Sequence, residues 1–177
     1  MRKIVSVFLV FMQFFLPNML FAASAKAIIE GTFKDSELVG IVRFQDTDEG
    51  LRVEATVFGA VPGLHGIHIH DHGSCADSGN AAGGHYNPEE VKHGFLPTEG
   101  FLGAHAGDFG NIEINQNGEG TLFLILPGLT VTGGKFNAEG RSVILHEKPD
   151  DFGQPTGNAG GRVGCGIIKI NEKNPAI

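Results

Sequence analysis

The sequence has no tryptophan, one tyrosine and two cysteines among its 177 residues. Charged residues make up 19% of the chain, too small a share for a disordered acidic tail or a coiled coil. The formal net charge of -7 argues against the positive surface that nucleic-acid binding requires, so no nucleic-acid partner is expected. Internal repeats and long amphipathic segments are absent as well. Glycine is abundant, with 27 residues and no collagen period, which indicates many turns within one domain.

Residues 1–25 have the composition of a secretory signal peptide. A positive start at Arg2 and Lys3 precedes an apolar run over residues 4–21, and small residues follow at 22–25. The order of charged, apolar and small residues is typical of a leader that is removed during export. A membrane anchor that stays on the protein is the alternative interpretation.

Cleavage after Ala25 is predicted, which makes residues 26–177 the mature domain and leaves it without a membrane contact. Cleavage after Ala22 fits the small-residue rule nearly as well. No cysteine directly follows the leader, so a lipid anchor is not indicated. The expected location is a periplasm or, as the alternative, an extracellular space.

The rest of the chain predicts an all-β fold. Short segments that alternate in polarity, or are continuously apolar, are separated by turn residues such as Asp48-Glu49-Gly50 and Asn117-Gly118. Eight strands are predicted, at residues 27–33, 38–44, 51–57, 66–70, 111–115, 121–126, 141–146 and 165–170. Short strands without helices indicate an antiparallel β-sandwich or barrel.

Two long stretches interrupt the predicted strands, one over residues 71–110 and the other over residues 147–164. A loop of this length in a compact domain is usually either disordered or functional. Histidine, aspartate and cysteine lie in or beside both stretches, and these side chains can fix a loop through metal or sulfur. We therefore expect two functional loops.

His68 and His70 are the first candidate metal ligands. They lie two residues apart on a predicted strand, so both imidazoles project from the same face. Two neutral nitrogen donors on one face form half of a copper or zinc site. His146 ends a different predicted strand, at the start of the second long loop.

A second candidate site lies in the first long loop, where His85, His93 and His105 are followed by Asp108. Three imidazoles and one carboxylate are a suitable tetrahedral shell for zinc. Four protein ligands leave no open position, so such a zinc would be structural. The alternative is a polar loop with histidines scattered on the surface.

The two cysteines and one arginine complete the set of candidates. Cys75 and Cys165 belong to a chain with an export leader, where pairing is expected, and two free buried thiols are the alternative. Arg162 lies three residues before Cys165, on backbone that a disulfide would brace. A braced arginine suits a fixed contact with an anion, whereas an isolated arginine is usually solvated.

Six segments of the chain resemble the copper/zinc superoxide dismutase family, in the family's order. They are residues 63–70 (GLHGIHIH), 85–88 (HYNP), 92–94 (KHG), 105–111 (HAGDFGN), 146–151 (HEKPDD) and 157–166 (GNAGGRVGCG). The similarity extends from about residue 63 to residue 170 and more faintly into the first strands. It implies an eight-stranded antiparallel Greek-key barrel with two long functional loops.

The resemblance also assigns roles to the candidate residues. It implies a copper ion held by His68, His70, His85 and His146, and a zinc ion held by His85, His93, His105 and Asp108. His85 would bridge the two metals, and Arg162 would guide the substrate anion, so both would be catalytic. Asp150 would link a copper ligand to a zinc ligand, and Cys75 and Cys165 would form the family's disulfide. His65 would be structural and bind backbone.

The activity implied is the dismutation of superoxide to dioxygen and hydrogen peroxide, with copper cycling between Cu(II) and Cu(I). The alternative is a non-catalytic copper-binding or copper-delivery domain on the same fold. The short segment from His70 to Cys75 resembles the bacterial periplasmic branch, whereas residues 146–151 resemble the eukaryotic one. A homodimer is one assembly that the resemblance implies, although His72 and Lys169 stand where the eukaryotic contact has apolar or small residues.

Overall fold

The computed structural model describes residues 22–171, so residues 1–21 of the predicted signal peptide lie outside the described part of the chain. It contains eleven strands: β1 (Ser24–Gly31), β2 (Val39–Thr47), β3 (Gly50–Phe58), β4 (Gly63–His70), β5 (Asp108–Ile114), β6 (Gly120–Leu126), β7 (Leu129–Thr130), β8 (Phe136–Asn137), β9 (Ser142–His146), β10 (Arg162–Ile167) and β11 (Lys169–Ile170). One helical turn, α1 (Leu96–Glu99), and one 3-10 turn, Asn80–Ala82, lie in the first long loop. Within this part of the chain no helix has the length and hydropathy needed to cross a bilayer.

Eight of the strands form a closed antiparallel barrel, which confirms the predicted fold. Neighbouring strands follow the order β10-β9-β4-β5-β6-β3-β2-β1, and β1 pairs again with β10 to close the sheet. Strand β3 pairs with β6 and not with β4, which is the Greek-key crossover. All eight predicted strands are found, but the last predicted strand is divided into β10 and β11. The short β7–β8 pair and α1 were not predicted.

The barrel is filled by the alternate side chains of its strands, because successive residues in a strand point to opposite faces. The largest fully buried side chains include Phe44, Leu51, Phe109, Leu126 and Leu145. On β4, Ile67 and Ile69 belong to this core, so His68 and His70 face outward from the barrel. These two histidines are nevertheless buried, at 0% and 1% exposure, because the long loops cover this face.

The first long loop is attached to the barrel along its length. Tyr86 N donates to the carbonyl of Ile69 (2.8 Å), and Ile69 N donates to that of Gly107 (3.0 Å), so the loop runs beside β4. Cys75 forms a disulfide with Cys165 of β10, as predicted. These attachments hold the loop against the face of the barrel that carries the histidines.

The start of β1 differs from the predicted start of the mature domain. Ser24 and Ala25 pair with Gln45 and Phe44 of β2, so the strand begins two residues before Lys26. Ala25 is 1% exposed and belongs to the core. The position of leader cleavage stays a prediction, and cleavage after Ala22 would keep these pairs intact.

Candidate metal centre

Four histidines from three parts of the chain converge on the outer face of β4. His68 and His70 come from β4 itself, and His146 is the last residue of β9, which pairs with β4. His85 arrives from the first long loop through an isolated bridge to His70. One ring nitrogen from each lies within 4.8 Å of the others. The structure thus brings together the four residues that the resemblance implies for copper.

Hydrogen bonds to the scaffold decide which ring nitrogen of each histidine faces this cluster. His70 Nδ1 donates to the Gly83 carbonyl (2.9 Å) and His146 Nδ1 to the Gly160 carbonyl (3.4 Å). A carbonyl only accepts, so these nitrogens carry the protons and the Nε2 atoms hold the lone pairs. The two Nε2 atoms lie 3.3 Å apart. On His68 the roles are reversed, because Nε2 donates to Asp150 Oδ2 (2.8 Å) and Nδ1 faces the cluster.

His85 also belongs to a second four-residue cluster with His93, His105 and Asp108, again with ligand atoms within 4.8 Å. Its ring lies 4.1 Å from that of His68 on one side and 5.2 Å from that of His93 on the other. His85 Nδ1 is 2.8 Å from Asp108 Oδ1, so this nitrogen faces the second cluster. Its other nitrogen is left for the first cluster.

Asp108 is the first residue of β5 and has no exposed surface. Backbone donors fix its carboxylate, since Gly94 N (3.0 Å) and His105 N (2.9 Å) both donate to Oδ2. His93 Nδ1 lies 2.9 Å from the same oxygen, outside hydrogen-bonding geometry. The loop around residues 93–105 is therefore folded around this carboxylate.

Asp150 connects the two clusters from the second long loop. Its Oδ2 accepts from His68 Nε2 (2.8 Å) and its Oδ1 from His93 Nε2 (2.9 Å). The amide of Asn111 holds the backbone of Asp150, donating to its carbonyl (2.9 Å) and accepting from its N–H (2.7 Å). One fixed carboxylate thus orients one ring of each cluster, as expected for the partners of metal ligands.

Burial and charge set different protonation states in the two clusters. Burial, with the neighbouring His85, lowers the pKa of His70 to about 2, and burial lowers that of His146 to about 3 and that of His85 to about 4. These imidazoles are neutral at pH 7 and keep their lone pairs for a metal. Burial also opposes a charge on His93, but its contacts with the Asp108 and Asp150 carboxylates outweigh the effect of burial and raise its pKa to about 9.

The same contacts act on the two carboxylates in the opposite sense. Burial alone would raise the pKa of Asp108, but its close contacts with the rings of His105, His85 and His93 lower it far below the usual range. Hydrogen bonds to His68 and His93 lower the pKa of Asp150 in the same way, again against the effect of burial. Both carboxylates are therefore ionised, which suits a cation beside them.

Arg162 borders the four-histidine cluster because it is the first residue of β10 and pairs with His146 of β9. Its guanidinium donates to the carbonyls of Gly79 (2.7 Å) and Gly83 (2.6 Å). The Thr32 hydroxyl donates to the backbone carbonyl of Arg162. Burial lowers its pKa, but an arginine remains charged. The Gly83 carbonyl accepts from both Arg162 and His70, so the arginine and a ring of the cluster share one anchor.

His65 lies outside both clusters, in agreement with its expected structural role. Its two ring nitrogens are 2.8 Å from the backbone carbonyl oxygens of His146 and Val61. Neither nitrogen is free to face a metal. The histidine instead joins the start of β4 to the end of β9.

Three contacts around the site were not predicted from the sequence. Gln154 binds the backbone of His93, Phe152 stacks on the His93 ring with centroids 6.4 Å apart, and Asn111 binds Asp150. None of these residues is a typical metal ligand, and only Asn111 lies in a periodic pattern, at the start of the predicted strand over residues 111–115. The segment GDFGN, already quoted at 107–111, was the one available signal for Asn111.

The donor sets fit copper and zinc. Four imidazole nitrogens suit copper, and three imidazoles with one carboxylate suit tetrahedral zinc. Among the described residues, His68 Nδ1 and His93 Nδ1 are buried nitrogens without a hydrogen bond, and each faces one of the clusters. An orphaned buried nitrogen is costly, so a ligand at each position would satisfy it.

Comparisons with known proteins agree with this geometry. A family model described as copper/zinc superoxide dismutase matches residues 38–168. The extracellular Cu-Zn superoxide dismutase of Caenorhabditis elegans is 39% identical over 145 residues, which are 78% of this chain and 64% of that protein. The chain thus spans somewhat less than two thirds of that relative's length. The protein of the same description from Haemonchus contortus is 38% identical over 142 residues, 76% of this chain and 75% of its own.

A solved structure shows the same fold. The crystal structure of the clock protein EA4 superposes with a TM-score of 0.75 at 32% sequence identity. The match covers 85% of this chain and 96% of that one.

Proposed function

Because the chain belongs to the copper/zinc superoxide dismutase family, we propose that it converts two superoxide anions and two protons to dioxygen and hydrogen peroxide. The metals of this family are copper and zinc. When bound, copper supplies one-electron chemistry between Cu(II) and Cu(I), and zinc supplies fixed positive charge without redox change. The remaining tasks fall to side chains of the chain.

The observation that carries the proposal is the sharing of His85 by two clusters of four ligands. In this proposal the copper ligands are His68, His70, His85 and His146, and the zinc ligands are His85, His93, His105 and Asp108. Burying this many imidazole and carboxylate groups is unfavourable unless they have partners, and two bound metal ions would supply those partners. A single structural zinc would leave the other three histidines of the first cluster without a role.

His85 is assigned the proton transfer. Its Nδ1 faces Asp108 and the zinc ligands, which leaves Nε2 on the side of the copper ligands. We assign to Nε2 the uptake of one proton in the first half of the reaction and its release to peroxide in the second.

Arg162 is assigned the binding of the anion. Two of its N–H donors are used by Gly79 and Gly83, and an arginine has five, so donors remain for superoxide. The chain as a whole carries a charge of -7, which repels an anion. A fixed positive charge beside His146 and His70 offsets that repulsion at the point where the substrate must bind.

Export is part of the proposal. The two named relatives are described as extracellular, and residues 1–25 have the order of a signal peptide. A periplasmic and an extracellular location both follow from an exported chain. The mature domain 26–177 and a homodimer stay predictions.

The test is the removal of superoxide by protein loaded with copper and zinc, with excess metal removed by chelation. We expect wild-type protein to be active and His146→Ala to lose most of the rate, because it loses one of four copper ligands. His72→Ala is the matched control, since His72 is exposed and lies outside both clusters. Copper-loaded wild-type protein that is no faster than buffer would refute the enzyme and favour the copper-delivery alternative.

A further inference from the structure

Gln154 makes an unusual contact with the second cluster. Its side-chain amide binds both backbone groups of His93, accepting from His93 N (3.1 Å) and donating to His93 O (2.8 Å). The amide oxygen must face the His93 N–H and the amide nitrogen must face the His93 carbonyl, so these two bonds also fix the orientation of the amide group. Gln154 lies on the surface, whereas His93 is 2% exposed. One exposed side chain thus holds the main chain of a buried residue.

The contact is one of three by which the second long loop holds His93. Asp150 accepts from the ring nitrogen Nε2 (2.9 Å), the Phe152 ring lies nearly parallel to the His93 ring (16°, centroids 6.4 Å apart), and Gln154 holds the backbone. Phe152 also packs edge-on against Phe95, with centroids 5.8 Å apart. Each contact acts on a different part of the histidine, so together they restrict both its position and its rotation.

The contact with Asp150 also determines which ring nitrogen of His93 is left to bind a metal. Asp150 takes His93 Nε2, so Nδ1 is the nitrogen left for a metal, and it lies 2.9 Å from the Asp108 carboxylate. Within residues 22–171, the backbone N–H and C=O of His93 make no hydrogen bond other than the two with Gln154. A ligand that is already held in position loses less conformational entropy when the metal binds, so the affinity for the metal is higher.

We propose that Gln154 is a positioning residue for zinc, which fixes the backbone of His93 before the metal binds. The inference rests on the proposed role of His93 as a zinc ligand. It concerns the affinity for zinc and the order of a loop, and needs no measurement of the reaction.

The experiment compares zinc affinity of metal-free protein by competition with a chromophoric chelator, for wild type, Gln154→Met and Gln154→Ala. Methionine keeps the length of the side chain and loses both hydrogen bonds, so packing and hydrogen bonding are separated. We expect both variants to bind zinc about tenfold more weakly, the lower end of what partners of metal ligands contribute. Copper affinity should change less, because among residues 22–171 Gln154 makes side-chain hydrogen bonds with His93 and with no residue of the four-histidine cluster.

Hydrogen exchange gives the second measurement. In the metal-free variants the amides of residues 147–161 should exchange faster than in wild type, and zinc should restore less protection. Thr156→Ala is the control on the same exposed loop, since its hydroxyl makes no hydrogen bond within residues 22–171. It should match wild type in both measurements.

The outcomes separate the inference from the proposed function. Wild-type protein that binds no zinc would refute the zinc site and the inference together. Wild-type protein that binds zinc, with unchanged affinity in Gln154→Met and Gln154→Ala, would refute the inference alone. An equal loss of zinc and copper affinity would also refute it, because it would show a general loss of structure.

Discussion

The replacement of Asp150 by asparagine tests how the two clusters are held together. Asp150 is 3% exposed, and its two oxygens accept from His68 Nε2 (2.8 Å) and His93 Nε2 (2.9 Å). Asparagine keeps the size but has one oxygen and one NH2 group. Whichever way the amide turns, one ring N–H then faces a donor. The variant also loses the negative charge that both ring N–H groups now contact.

The magnitude follows from these bonds. A hydrogen bond to a charged group contributes about 1.5–3 kcal/mol, but the metal-free variant loses it as well, so only part of this energy is a loss of metal affinity. We expect zinc to bind about 10- to 100-fold more weakly, which corresponds to about 1.4–2.7 kcal/mol. Copper affinity should fall in the same direction through His68.

The assay is chelator competition on metal-free protein, with each metal titrated separately. Asp151→Asn is the matched control, because Asp151 is exposed and contacts Gly153 and Asn158 on its own loop. It removes the same charge one residue away and should leave both affinities unchanged. Unchanged zinc affinity in Asp150→Asn would refute the view that this carboxylate orients the ligands.

Three further substitutions have expected outcomes. Arg162→Ala should lower kcat/KM for superoxide about tenfold or more, because it removes the local positive charge, while metal analysis shows copper retained. Cys75→Ser opens a disulfide that joins residues 90 apart in sequence, and urea unfolding should show a loss of about 2–4 kcal/mol. Gly157→Ala should lower both the thermal midpoint and zinc affinity, since Gly157 has φ 75° and a Cβ there would strike the Asp150 carboxylate and lie 2.7 Å from His93 Nε2.

Each of these substitutions has a result that would contradict it. Arg162→Lys keeps the positive charge and should recover part of the rate that Arg162→Ala loses. An Arg162→Ala variant as fast as wild type would refute the assigned role of Arg162 in binding the anion. Equal stability of wild-type protein with and without reductant would contradict the role of the disulfide. Gly133→Ala is the control for Gly157→Ala, because Gly133 has φ 68° but no atom within 4 Å of the added Cβ. If the two alanine variants behave alike, backbone strain alone explains the effect.

The strands were predictable because their side chains alternate. The segment from Leu51 to Val57 places every second residue in the core, and the barrel needs that pattern from each of its strands. The pairing of His68 with His70 on one face followed from the same rule. The start of β1 did not, because Ser24 and Ala25 suit both a cleavage site and a packed strand, and composition alone does not separate the two.

The convergence of the clusters came from the resemblance and not from spacing. Nothing in local periodicity places His146 beside His70, since that contact depends on the pairing of β4 with β9. The residues that hold His93 in place were even harder to predict. Gln154 and Phe152 act on His93 from about sixty residues further along the chain, and neither type signals metal binding. Contacts of this kind depend on how two irregular loops pack, which sequence patterns do not encode.

The most direct test of the shared His85 is a crystal structure of the metal-loaded protein with anomalous data collected at the copper and zinc absorption edges. The proposal predicts a copper peak among His68, His70 and His146, a zinc peak among His93, His105 and Asp108, and the His85 ring between them. A single peak, or two peaks of which one makes no contact with His85, would contradict it.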